Sequence, residues 1–176
     1  TTVLNGFTIQ NGSGNNSGNG GGIYCNYAHP TLTNLNISNN SAEWGGGIYC
    51  SSSNPSLTNL NISNNWADQG GGMRLLGGNP TLMNVTISGN TGSNASGGIH
   101  LHSSHPTLTN VTISDNTTDY YGGGMSLYYS NPILTNVTIA NNTANIGGGG
   151  IYVSSGFAIL VNSILWNDSP QEIYNY

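Results

Sequence analysis

The chain repeats itself at a fixed interval. Ile23, Ile48, Met73, Ile99, Met125 and Ile151 recur at steps of 25, 25, 26, 26 and 26 residues. Ile37, Ile62, Ile87, Ile113, Ile139 and Leu165 recur at the same steps. The unit is plainest in residues 45–69, GGGIYCSSSNPSLTNLNISNNWADQ. A period of this size marks a repeat architecture, in which each unit covers its apolar side only by stacking on its neighbours.

Within the unit, apolar residues alternate with polar ones and show no helical spacing, as half-buried strands require. Ile48-Tyr49-Cys50 reads as a first strand, Ser56-Leu57-Thr58 as a second and Leu60-Asn61-Ile62-Ser63 as a third. Leu57 and Leu60 are three residues apart instead of two, so a bend must absorb one residue, and Asn59 stands there. Asn tolerates the left-handed backbone such a bend needs. Its equivalents Asn34, Asn84, Asn110 and Asn136 predict a ladder of amides along the axis. A second column, Asn40, Asn65, Asn90, Asn116 and Asn142, marks the turn after the third strand. Pro30, Pro55, Pro80, Pro106 and Pro132 mark the entry to the second strand, where a missing N–H is best tolerated. Three strands per coil, pairing in parallel between coils, predict an all-β, three-sided parallel β-helix forming a single domain over residues 1–176.

These motifs resemble the right-handed parallel β-helix repeat proteins of the pectin-lyase-like superfamily, particularly the bacterial cell-surface group with GGGIY and PTLTNVTIS-type repeats. They are also similar to the GG[AG]I and FxxN repeats of polymorphic outer-membrane proteins, with Ile-Ser-Asn-Asn in place of the Phe pattern. The resemblance spans essentially the whole chain and implies the fold. It does not choose an activity, since that superfamily holds lyases, hydrolases, adhesins and passive spacers.

Charged residues make up only 4% of the chain and Gly numbers 27, a composition that suggests disorder until the apolar columns overrule it. The net charge is −5 and Arg74 is the single Lys or Arg. Nucleic acid is thereby disfavoured as a partner, and anionic membranes with it. No run of twenty apolar residues suggests membrane insertion. Neither end of the sequence shows a polar cap, so the expected partners are further repeats of a longer exported chain or other copies stacked end to end, with polysaccharide as a ligand class. The resemblance and the near absence of Lys favour an extracellular or bacterial cell-surface location.

Several residues are candidates for chemistry. On the first strand the outward column reads Tyr24, Tyr49, Arg74, His100, Ser126 and Tyr152. In the lyases the sequence resembles, catalysis occupies this face, with acidic calcium ligands and an Arg or Lys base; the resemblance implies Arg74 as base, with Glu43, Asp68 and His100 as the other residues to test. A calcium site wants several oxygen ligands, and a hydrolase wants paired carboxylates. Glu43, Asp68 and Asp119 instead fall one per coil on the turn before the first strand, Asp115, Asp168 and Glu172 lie elsewhere, and Asp68 with Arg74 reads more simply as a surface ion pair. Tyr24, Tyr49, Trp44, Trp66 and Tyr128 are candidate glycan contacts, because an exposed ring can stack on a sugar, although Trp also fills grooves. His100 and His102 share a direction and offer two imidazoles to a metal; no third ligand converges by spacing, and no cofactor is expected.

Cys25 and Cys50 share an inward column and read either as stacked core thiols or as a disulfide. Residues 12–19, GSGNNSGN, read as a longer flexible loop. Thr31 and Thr33, Ser56 and Thr58, Thr81, and Thr107 and Thr109 make a Thr-x-Thr ladder that resembles insect antifreeze proteins, interrupted by Met83 and Ile133; Thr is also simply a good outward strand residue. The N-x-[ST] sequons coincide with the ladder pattern and read as structural. The last coil carries Phe157-Ala158-Ile159-Leu160-Val161 and Trp166, an enlarged apolar surface. Three readings follow: a non-catalytic extracellular structural module that forms filaments or adheres to glycans, a polysaccharide lyase or glycoside hydrolase acting on an acidic glycan, and an ice-binding protein.

Overall fold

A computed structural model describes residues 2–15 and 17–176; Asn16, within the expected 12–19 loop, and Thr1, the first residue of the expected opening turn, lie outside the described residues. The described residues form strands and turns without a helix. Every strand pairing between coils is parallel, and the central coils keep the register the repeat predicts, as with Leu32↔Leu57, Leu57↔Leu82 and Leu82↔Leu108; the register shifts between Gly92 and Ala95, and Ile151 pairs with Ile173, 22 residues on.

Three sheets wrap the coil. The first holds long strands such as Thr31–Ser38, Ser56–Ser63, Thr81–Ser88 and Thr107–Ser114. The second is built from Ser41–Trp44, Trp66–Gln69, Thr91–Ala95, Thr117–Thr118 and Thr143–Ala144. The third runs from Ile23–Asn26 through Ile48–Ser51, Met73–Gly78, Ile99–Ser104, Met125–Tyr128 and Ile151–Val153 to Ile173–Asn175.

The three-sided coil is as the sequence predicts, but its sides are assigned differently. The second and third predicted strands are one strand bent at Asn59, and the third side is the segment read from sequence as a turn. A left-handed residue bends a strand without breaking its ladder when its neighbours above and below bend alike. Asn34, Asn59, Asn84, Asn110 and Asn136 all have φ between 54° and 55°. The turn segment becomes a strand because Ala42, Ala67, Gly92, Thr118 and Ala144 are small enough to face inward there.

Left-handed residues recur at three further corners of the coil. One column is Asn39, Asn64, Gly89, Asp115 and Asn141; another is Tyr27, Ser52, Gly77, Ser103 and Tyr129. The third opens the glycine triad at Gly45, Gly70, Gly122 and Gly148, where Ser96 takes the same conformation and donates its hydroxyl to Ile99 O at 2.8 Å.

The core is a stack of columns. Ile37, Ile62, Ile87, Ile113 and Ile139 are fully buried, as are Ile48, Met73, Ile99 and Met125. Each buried Ile contributes about 1.5–3 kcal/mol, so removing any coil exposes apolar surface on both its neighbours. Cys25 and Cys50 are free thiols within this core. The neighbouring Cys50 lowers Cys25, while Cys25 and then burial push Cys50 up.

Two asparagine ladders run along the solenoid in opposite senses. On the surface each amide donates to the coil before it: Asn34 to Asn5, Asn59 to Asn34, Asn84 to Asn59, Asn110 to Asn84 and Asn136 to Asn110, at 2.8–3.2 Å. Inside, Asn40, Asn65, Asn90 and Asn116 each donate both backbone N–H and Nδ2 to the Oδ1 of the next rung, at 2.9–3.0 Å. Nδ2 of each rung also reaches an isoleucine carbonyl, as Asn90 does to Ile62 O at 3.0 Å. A polar group survives in this interior because almost every one of its donors and acceptors is used. A further surface ladder passes through His29, Asn54, Asn79, His105 and Asn131, the residues before the prolines, with imidazole Nδ1 of His29 and His105 accepting a backbone N–H as the amides do.

Candidate functional site

The outward column of the third sheet is where the sequence places most candidate residues. Its register is as predicted: Tyr24 pairs with Tyr49, Tyr49 with Arg74, Arg74 with His100, His100 with Ser126 and Ser126 with Tyr152. Its exposure is not. Tyr49, His100, Ser126 and Tyr152 are buried, and only Tyr24 is open, at 41%. Residues from the corner between the second and third sheets lean over the column: Trp44 meets Tyr49 edge-on at 6.2 Å, and Tyr121 stacks on Tyr152 at 4.4 Å. Rings within the column also cover one another, as Tyr24 and Tyr49 do at 5.5 Å.

Midway along this face the cover parts. Gln69, Arg74, Asn94, Ala95, His100, His102 and Tyr128 line a cleft of about 360 Å³. Arg74 is its one strong cation. The guanidinium carbon lies 4.7 Å from the Trp44 ring centroid and 5.7 Å from that of Tyr49. Nε and Nη1 are buried and have no hydrogen-bond partner. Burial lowers its pKa, with Tyr49 and Glu43 acting in the opposite direction. A half-buried guanidinium with two nitrogens out of water and not hydrogen-bonded is an unusual cost, which the two aromatic faces offset only in part.

The ion pair expected between Asp68 and Arg74 is not formed. Asp68 and Arg74 stand on different sheets, and Asp68 Oδ1 instead accepts the Ser93 hydroxyl at 2.7 Å. Glu43 is closer to the site in effect, since its charge acts on Arg74. Of the four residues a catalytic reading would use, the fold brings Arg74 and His100 into one cleft and leaves Asp68 outside its lining.

His100 is buried, and its Nδ1 lies 2.8 Å from Ser126 Oγ. Burial, and then the charges of Arg74 and His102, lower its pKa to about 3, so it is neutral at physiological pH. His102 lines the same cleft but is stacked on Tyr128 at 6.4 Å, and Tyr128 also lies 5.3 Å from His100. Among the described residues, no three His, Cys, Asp or Glu side chains converge in a way that holds a metal. Tyr128 is pushed up to about 12 by burial and then by Tyr152, and stays a neutral hydrogen-bonding phenol.

The tryptophans divide. Trp44 is half-buried and serves as the platform under Arg74, whereas Trp66 is 45% exposed on the outer face of the second sheet, away from the cleft. Gln69, Asn94 and Ala95 belong to the cleft and were not legible as such, because the segment carrying them reads as a turn. Their only sequence signal is that they precede the glycine triad by a few residues, as Trp44 does.

Geometry and sequence together define a class: a three-sided parallel β-solenoid with one buried and one surface asparagine ladder and a cationic, aromatic-backed cleft. Residues 2–165 match the family described as the right handed beta helix region, and the chain belongs to that family. No curated protein and no solved structure matches the chain.

Proposed function

We propose that the chain is a non-catalytic, extracellular β-solenoid module of a bacterial surface that contacts acidic polysaccharide through the Arg74 cleft. In this reading the solenoid is a structural or adhesive element, stacked end to end on neighbouring repeats or copies. The observation that carries it is Arg74, a partly desolvated guanidinium with two buried nitrogens unpartnered, backed by Trp44 and opening on a cleft lined by neutral hydrogen-bonding groups. A carboxylate entering there would gain a charge-assisted hydrogen bond and relieve an unpaired charge. Aromatic rings beside it suit the apolar face of a sugar.

Weighing against a lyase or hydrolase is a cleft lining without Asp or Glu: Asp68 is engaged by Ser93, and His100 is neutral and tied to Ser126. Weighing against ice binding is the bend at each surface Asn, which divides the hydroxyl-bearing face in two, together with exposed Met83 and Ile133 on that face.

The test is binding of a uronic-acid polymer and of its neutral counterpart, with product analysis for chain cleavage. Salt-sensitive binding of the acidic polymer without cleavage, lost in Arg74→Gln, is expected. Equal binding by Arg74→Gln, or cleavage by the wild-type chain, would overturn the reading.

A further inference from the structure

The buried ladder is not made of amides throughout. Its next register after Asn142 is Asp168, whose Oδ1 accepts the backbone N–H of Asn142 at 2.7 Å and its Nδ2 at 2.9 Å, as every Asn rung does for the one before. The other carboxylate oxygen stands where a rung places its amide nitrogen. A Cβ added to Gly47, Gly72 or Gly124 would lie 3.1 Å from Nδ2 of Asn65, Asn90 or Asn142; a Cβ added to Gly150 would lie 2.6 Å from Asp168 Oδ2. In the rungs that nitrogen is a donor, bonded to an isoleucine carbonyl one coil back. Asp168 thus presents an acceptor in a donor's seat.

Asp168 is 7% exposed, and both its Oδ2 and Glu172 Oε2 are buried without a hydrogen-bond donor. Two carboxylates placed together away from water cannot both ionise cheaply. Among the titratable groups around Asp168, Tyr152 comes from the strand Ile151–Val153, Tyr174 from Ile173–Asn175, and Tyr176 follows it. Of these and Glu172, only Glu172 acts on Asp168. Arg74 is three coils away along the column and supplies no counter-charge.

We infer that Asp168 and Glu172 share one proton, Asp168 Oδ2–H donating to Glu172 Oε2, and that this proton clamps the strand Ile173–Asn175 onto the solenoid. Glu172 is the residue that leads into that strand. Its carbonyl accepts Ile151 N–H at 2.8 Å, the strand pairs with Ile151–Val153, and Tyr174 stacks on Tyr152 at 5.9 Å. Releasing the carboxyl pair therefore releases the edge of the third sheet.

Burial, and the neighbouring Glu172, hold the Asp168 carboxyl up at about 6 against an ordinary 3.8. The docked state binds a proton that the released strand gives up. The clamp is therefore complete below about pH 4 and is lost as pH rises through about 6, the sense expected for a raised carboxyl pKa.

The test is amide hydrogen exchange at Ile151 and at Tyr176, whose N–H donates to Val153 O, corrected for intrinsic rates and followed from pH 4 to 7. In the wild-type chain local opening should increase by up to about a hundredfold, the factor that two pH units of proton linkage allow. Asp168→Asn seats an amide donor and should abolish the dependence, as should Glu172→Gln. In case a variant does not fold, ¹³C resonances of the wild-type Asp and Glu carboxyls read the same pair, one carboxyl titrating near pH 6. An unchanged slope in Asp168→Asn, no slope in the wild-type chain, or both carboxyls titrating at ordinary values would overturn the proposal. So would saturable protection by calcium at pH 7, which would make the pair a cation site.

Discussion

The Arg74 guanidinium lies 4.7 Å above the Trp44 ring, although the two residues belong to successive coils and to different sheets. The contact exists because the strand carrying Trp44 ends where the third sheet begins, one coil below Arg74. It turns the chain's only cation into a fixed element of a cleft instead of a mobile surface charge.

Trp44→Ala should weaken binding of an acidic polysaccharide by about 3- to 30-fold, since a partly desolvated cation–π contact contributes about 0.5–2 kcal/mol. Arg74→Lys should not restore the affinity lost in Arg74→Gln, because an ammonium lacks the flat face that stacks on Trp44. Titration calorimetry of the three variants checks this; full rescue by Lys would show that charge alone matters.

The two asparagine ladders should differ sharply in what they contribute. Asn90→Ala leaves the Asn65 backbone N–H and Nδ2 and the Ile62 carbonyl without their partner. At about 1–3 kcal/mol for each buried orphan, the loss should be several kcal/mol. Asn84→Gly gives up two exposed bonds, its own to Asn59 and the one it accepts from Asn110, and keeps the left-handed bend, so the cost should stay at about 1–2 kcal/mol. Denaturant unfolding of both variants measures the contrast, and similar losses would mean the inner ladder is not the stronger.

His100 imposes an acid-side weakness. Its folded pKa of about 3 lies below the ordinary 6.5. As pH falls from 6.5 towards 3 the unfolded chain takes up a proton that the folded chain refuses, and stability is lost across that window. His100→Gln removes the titration, so the drop in melting temperature between pH 7 and pH 4.5 should be smaller than in the wild-type chain. An identical drop would assign the acid sensitivity elsewhere.

Ile87→Asp would place a carboxylate in a fully buried column between two coils. The expected cost is several kcal/mol, with loss of cooperative melting. Melting at the wild-type temperature would contradict the inward assignment of the whole column.

Much of this architecture was legible before any coordinates. The 25–26 residue register predicts the pairings of the central coils, because parallel stacking brings identical positions together, but not the docking of Ile173–Asn175 on Ile151–Val153, which is 22 residues on. The asparagine columns follow from the same logic, and so does the left-handed bend at Asn59, which the odd spacing of Leu57 and Leu60 requires. The assignment of the coil's sides was harder. Ser41–Trp44 has no alternating apolar signal, since its inward residue is only an Ala, and a strand recruited by its neighbours carries little signature of its own.

The solenoid, its core columns and the Arg74 column follow from residue type and period, which one dimension records. What surrounds them emerges only when the coils are folded and stacked. Whether Arg74 meets Asp68 or Trp44, whether Tyr49 and His100 are open or covered, and where Asp168 Oδ2 points all depend on how corner residues of one sheet lean over the next. Those contacts cross between sheets, at angles set by the coil's corners, and no sequence spacing encodes that angle.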